Sequence, residues 1–223
     1  MNRIQKLFSF NIALLGLILL SILIIDKPLS IFVAGNLVSL QPFFYNFTIS
    51  VDKFSASIFW LPLLSFVLGL LFLFSKKTKQ LGFILLTLAF THVTAIVMTN
   101  TMKTVFKRAR PEMYLEGDNQ NIDFNNKQTK DYSFPSGHTS FYLSLFLPAA
   151  LAFRRYALLF LLIPSIVIIG RIIQNEHYLS DVLCSVLIVY DVCFLTYWLF
   201  CWLDNALTNT KKKKAANNIN LAK

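Results

Sequence analysis

A chain of 223 residues that is 56% hydrophobic, carries 22 phenylalanines and has a mean hydropathy of +0.59 is too apolar for a soluble domain of this length. Its formal net charge of +10 does not point to nucleic acid, because the lysines at 211–214 and most other basic groups flank apolar runs, where they match anionic lipid headgroups and mark topology. Cys184, Cys193 and Cys201 form neither a C-x-x-C pair nor a metal-ligand spacing, and they read as small apolar residues.

A membrane span takes roughly 20 apolar residues, and candidate runs lie at 7–25, 57–74, 81–102, 137–153, 156–173 and 179–203. The first follows Arg3 and Lys6, as a signal peptide would, but its apolar stretch is long for one and no small-x-small cleavage site follows closely. It is read as a retained span. The expectation is a single all-α membrane domain over 1–223, a six-helix bundle with both termini on one side. The segments 26–56 and 103–135 would cover the outer face, and 204–223 would form a basic tail against anionic lipids. The N-terminus, Lys76, Lys77 and Lys79, Arg154 and Arg155 and the tail hold 12 of the 21 Lys and Arg residues with a single acid, Asp204, whereas the opposite loops balance nine basic against nine acidic groups. The positive-inside rule therefore makes the termini cytoplasmic and turns the other face toward the periplasm or its equivalent.

Three polar clusters lie at that outer face. At the end of the third run, Lys103, Lys107 and Arg110 follow helical spacing, which would stack cations on one face until Pro111 stops the helix. In the second cluster, Pro135-Ser136-Gly137-His138 opens the fourth run. Ser136 suits an N-cap, Gly137 lets an anion approach the backbone, and a helix start binds anions through its unpaired N–H groups. In the third, His177 and Asp181 are four apart, so the carboxylate can take one imidazole N–H and leave the other nitrogen as a nucleophile. Arg171, six residues earlier, has a fork that fits phosphate oxygens.

These residues resemble the type 2 phosphatidic acid phosphatases, whose signature is K-x6-R-P, P-S-G-H and S-R-x5-H-x3-D. Lys103 to Arg110-Pro111, Pro135–His138 and Arg171, His177 and Asp181 match it in order and spacing, with Gly170 standing where the family usually has serine. The resemblance implies that Lys103, Arg110, Arg171 and the Ser136–Gly137 backbone bind phosphate. It implies further that His177 attacks phosphorus, Asp181 orients it and His138 protonates the leaving alkoxide, with no metal and no other cofactor. Lys107 and Arg108, between signature positions, are expected to tolerate alanine.

The implied activity is hydrolysis of a membrane lipid's phosphomonoester or diphosphate through a phosphohistidine, in a bacterial inner membrane with the site facing the periplasm. Lipid A phosphate and undecaprenyl diphosphate suit an outward site, and phosphatidylglycerol phosphate and phosphatidate share the motifs. The stretch between Pro111 and Pro135 is expected to act as a selectivity lid, and Phe43, Phe44, Tyr45 and Phe47 to form an interfacial belt. A transporter or flippase-like binder and a degenerate, non-catalytic member are the alternatives. The first would show repeated halves or broken spans, and the retained His138, His177 and Asp181 argue against the second. His92 and Asp191 share a depth inside the spans, which raises a direct contact between them.

Overall fold

A computed structural model of the chain describes residues 3–57, 59–116, 124–125 and 131–221, and every regular element among them is helical. Helix α1 (Arg3–Leu20) does not stop where the first apolar run ends. It passes through a π-helical turn, Ser21–Ile25, into α2 (Asp26–Asn36), and a 3₁₀ turn, Val38–Leu40, leads to α3 (Gln41–Ser57). The segment 26–56, expected as outer covering, is thus almost wholly helical. Then come α4 (Leu61–Phe72), α5 (Lys79–Phe106), the short α6 (Pro111–Leu115), α7 (Gly137–Ala152), a 3₁₀ turn Arg154–Tyr156, α8 (Ala157–Ile173) and α9 (Leu179–Leu221).

Leu7–Asn36, Lys79–Leu115, Arg154–Ile173 and Leu179–Ala206 are each long and apolar enough to cross a membrane, and the bent pair α3–α4 makes a fifth if it counts as one span. The 16-residue α7 is shorter than a span usually needs. Its place explains its sequence: it packs against α5, α8 and α9, so Ser140, Ser144 and Tyr142 are buried in protein. The apolar core joins Leu143 and Leu147 of α7 to Ala95, Ile188, Val189 and Leu14. Cys184 and Cys193 are free thiols buried in it, as small apolar residues would be.

His92 and Asp191 do not meet. His92 Nδ1 lies 2.9 Å from Ser144 Oγ, and its ring meets Phe141 edge-on. Asp191 accepts from Asn11 Nδ2 at 2.8 Å. The reason is which helix each faces: His92 on α5 turns to α7, whereas Asp191 on α9 turns to α1. Both intramembrane polar groups still find partners inside the bundle.

Helices α4 and α5 pack closely at a point where neither has a side chain. A Cβ on Gly82 would lie 2.9 Å from the Gly69 carbonyl oxygen, and one on Gly69 would lie 2.8 Å from Leu86 Cγ. Small residues permit such contact in membrane helices. Gly82→Ala should therefore lower the unfolding midpoint in detergent by several degrees, since overpacking costs about 1–3 kcal/mol. Gly16→Ala, with nothing within 4 Å of the added methyl, should leave it unchanged, and equal midpoints for the two variants would show that the α4–α5 contact is loose.

Candidate active site

The first polar cluster does not continue as a helix. Helix α5 ends at Phe106, and Lys107 adopts a left-handed conformation (φ 48°, ψ 46°) with its N–H donated to the Lys103 carbonyl at 3.0 Å. This C-terminal cap reverses the chain, so Lys103, Lys107 and Arg110 do not stack on one face. The reversal throws Arg108 inward and sets Arg110 before Pro111, the first residue of α6.

Arg108 has no solvent exposure. Its guanidinium donates to Asp181 Oδ1 at 2.7 Å, Ser180 Oγ at 2.6 Å and Asp26 Oδ2 at 2.8 Å, and it stacks 4.1 Å from the Tyr178 ring centroid. Asp26, the first residue of α2, also accepts the Ser180 backbone N–H at 3.1 Å, while Asp181 Oδ2 accepts that of Tyr178 at 2.8 Å. Two carboxylates thus cap the first turn of α9, where the macrodipole favours negative charge. The expectation that Arg108 tolerates alanine is overturned by this burial.

His177 follows Asn175, whose positive φ of 53° closes the turn after α8. Asparagine accepts that conformation more readily than most residues. The imidazole Nδ1 lies 2.8 Å from the Ser133 carbonyl and 3.6 Å from Asp181 Oδ2. A carbonyl only accepts, so Nδ1 carries the hydrogen and Nε2 keeps its lone pair. The nearer partner is therefore the backbone of Ser133, and the carboxylate expected to fix the tautomer stands behind it, held by Arg108 and Tyr178. Burial pushes the imidazole down to about 4, against the opposing pull of Asp181. Burial thus favours the neutral ring.

Arg110 and Arg171 share one carboxylate. Glu176 Oε2 bonds Arg110 Nη1 and lies 3.1 Å from Arg171 Nη2, and Arg110 Nη2 also reaches Asp131 Oδ1 at 2.6 Å. Partial burial pushes the Asp131 carboxyl up, but the hydrogen bond and charge of Arg110 outweigh it and hold it below the ordinary value. The Nε of each arginine is buried without a partner, leaving each fork one acceptor short. Lys103 Nζ bonds the Tyr132 carbonyl, and its Cε lies 3.9 Å from where a Gly137 Cβ would be. Ser136 caps α7 as expected, its Oγ facing the Thr139 N–H at 3.4 Å. Gly170 has a steric cause: a Cβ there would sit 2.9 Å from Phe44 Cδ1 of α3. Phe44 therefore packs on α8 at the site.

His138 borders an open cavity of about 460 Å³ shared with Phe59, Ile96, Phe141, Tyr142 and Asp52. Its Nε2 lies 3.2 Å from Asp52 Oδ2. In the expected lid, 117–123 and 126–130 fall outside the described residues, while Phe124 packs against Phe106 and Phe134 and lies 5.0 Å from the Arg108 guanidinium. The signature residues converge, and Arg108, Asp26, Asp52, Ser133 and Glu176 join them without having been singled out. A buried-acid signal existed for Asp26, a lone carboxylate in an apolar stretch, but nothing local marks the others.

Arg108→Ala should cost about 3–5 kcal/mol by leaving Asp26 and Asp181 buried without a counter-charge, while Lys107→Ala should be close to neutral. Detergent unfolding midpoints of the two variants check this, and similar midpoints would mean that the network is dispensable. Asp181→Asn should act the same way, through the lost Arg108 pair, because the Ser133 carbonyl keeps the His177 tautomer.

The sequence profile described as "PAP2 superfamily" matches residues 80–204, more than half of the chain. No curated protein and no solved structure matches it. The profile covers α5 through α9 as far as Asp204, and with it Lys103, Arg110, Ser136, Gly137, His138, Arg171, His177 and Asp181. The chain belongs to the PAP2 superfamily, whose members are typically phosphatases.

Proposed function

We propose that this protein is a metal-independent lipid phosphate phosphatase that works through a phosphohistidine. The carrying observation is His177: a neutral imidazole whose Nδ1–H is held by a carbonyl and whose Nε2 is free, beside two arginine forks that each lack one partner. A phosphate entering between Arg110 and Arg171 displaces Glu176 and takes up the open Nε donors. Lys103 and the N–H groups at the start of α7 take the remaining oxygens. Charge spreading over the equatorial oxygens in the transition state meets cations already in place.

Attack by His177 Nε2 forms the N–P bond as the P–O bond to the lipid breaks, and His138 protonates the leaving oxygen. Water, losing its proton to His138, then attacks phosphorus and frees phosphate and His177. The apolar cavity beside His138 supports an amphiphilic leaving group. A six-span bundle with cytoplasmic termini and a periplasmic site, as the positive-inside count favours, would put that site at headgroup depth in a bacterial inner membrane. An outward lipid such as a lipid A phosphate or undecaprenyl diphosphate suits it, and the basic tail suits anionic lipids on the other face.

Phosphate release from a panel of lipid phosphates by purified protein, with and without EDTA, tests the reading. Turnover should survive EDTA. His177→Ala should lose roughly a thousandfold or more while remaining folded, and substantial residual activity would eliminate the phosphohistidine. Arg171→Lys should be nearly as damaging as Arg171→Ala, because a point charge does not replace a fork.

A further inference from the structure

Asp52 lies on α3, outside the residues that the family profile matches, and it sits between two residues of α7. Its Oδ2 is 3.2 Å from His138 Nε2, and its Oδ1 accepts the Tyr142 O–H at 2.5 Å. His138 and Tyr142 are one helical turn apart with their rings stacked at 6.5 Å, and the Tyr142 oxygen is 3.0 Å from Ser55 Oγ, three residues beyond Asp52. Both oxygens of one carboxylate are thereby fixed. The other charges that bear on His138 are Arg171 and Glu176, which are paired with each other at 3.1 Å. Among the described residues Asp52 pairs with His138 and Tyr142 and with no arginine.

We propose that Asp52 is the positioning residue for His138, holding the hydrogen on Nε2 so that Nδ1 is the nitrogen that exchanges a proton with the substrate. The proposal rests on the phosphatase reading above. A carboxylate only accepts, so Nε2 facing Asp52 carries a hydrogen in both charge states of the ring. In the imidazolium the second hydrogen is on Nδ1. As His177 Nε2 bonds phosphorus and the P–O bond breaks, the Nδ1 proton passes to the leaving oxygen, giving the free alcohol and a neutral His138. In the second half, water gives a proton to Nδ1 as its oxygen bonds phosphorus and the N–P bond breaks. Asp52 accepts the Nε2 hydrogen throughout and prevents the ring from flipping between steps. The shared cavity keeps this pair at the side from which an apolar leaving group departs.

A merely structural tie between α3 and α7 would predict different results. With Asp52→Asn, kcat/KM on an alkyl phosphate should fall about tenfold or more, and on an aryl phosphate, whose leaving group needs no proton, by less than about threefold. Asp52→Glu should keep the wild-type ratio between the two substrates. Equal losses on both substrates would overturn the proposal. Nitrogen NMR of the wild-type histidines in detergent, assigned with His92→Gln and His138→Gln, needs neither turnover nor a folded Asp52 variant: neutral His138 should be the Nε2–H tautomer, and an Nδ1–H tautomer would overturn the proposal by itself. A wild-type protein that releases phosphate from neither ester would instead dispose of the phosphatase reading.

Discussion

A guanidinium with no solvent exposure, held between two carboxylates at the first turn of α9, ties the N-terminal third of the chain to the catalytic face. Arg108 arrives from the end of α5, Asp26 from the start of α2 and Asp181 from α9. Burying three charges is unfavourable, and their attraction offsets that cost only while all three are present with their other hydrogen bonds satisfied. Here they are: the Ser180 and Tyr178 N–H groups complete the carboxylates and the Tyr178 ring covers the cation. What this arrangement supplies is less stability than register. Asp181 is held from behind, Ser136 N–H bonds the Asp181 carbonyl, and Ser133, whose N–H bonds the Arg108 carbonyl, presents its own carbonyl to His177. The start of α7 and His177 therefore share one anchor.

The converging cations set a second constraint. Lys103, Arg110 and Arg171 repel one another, and a fixed pocket of like charge needs a counter-ion whenever substrate is absent. Glu176 and Asp131 serve as that counter-ion. Glu176 is the more telling, because its one oxygen spans both arginines while their Nε atoms stay unpaired. A carboxylate brings too few oxygens for two forks. On the proposed phosphatase reading a phosphate brings enough, and exchange of one anion for the other would gain hydrogen bonds without changing the sign of the charge in the pocket.

The three motifs were legible because their chemistry is local: a cap, a helix start and a turn of fixed length each place a side chain from its immediate neighbours. The all-helical architecture followed from apolar content and the length of the apolar runs. Arg108 was misjudged because it lies between signature positions, and only the left-handed turn at Lys107 shows that the chain brings it inward. The segment 26–56 was read as the stretch between two apolar runs, and nothing local shows that Asp26 is buried against a cation 82 residues away. The His92–Asp191 contact failed for a related reason. Equal depth along two helices fixes only one coordinate, and the direction in which each residue faces comes from packing. Asp52 and Glu176 belong to the same class, since only the tertiary structure brings α3 to α7 and the turn 174–178 to Arg110.

The two site histidines differ in what surrounds them, and on the proposed mechanism that difference divides the labour. His177 is buried, faces a carbonyl that can only accept, and is driven down to about 4. Its Nδ1 hydrogen is engaged by that carbonyl, and Nε2 keeps its lone pair. His138 lies at the rim of a cavity, with a carboxylate on one nitrogen. Environments that separate two titratable groups in this way assign nucleophile and acid–base roles. The carbonyl at His177 and the carboxylate at His138 fix opposite tautomers, one leaving Nε2 free and the other leaving Nδ1 free. Each imidazole therefore turns its reactive nitrogen away from its own support.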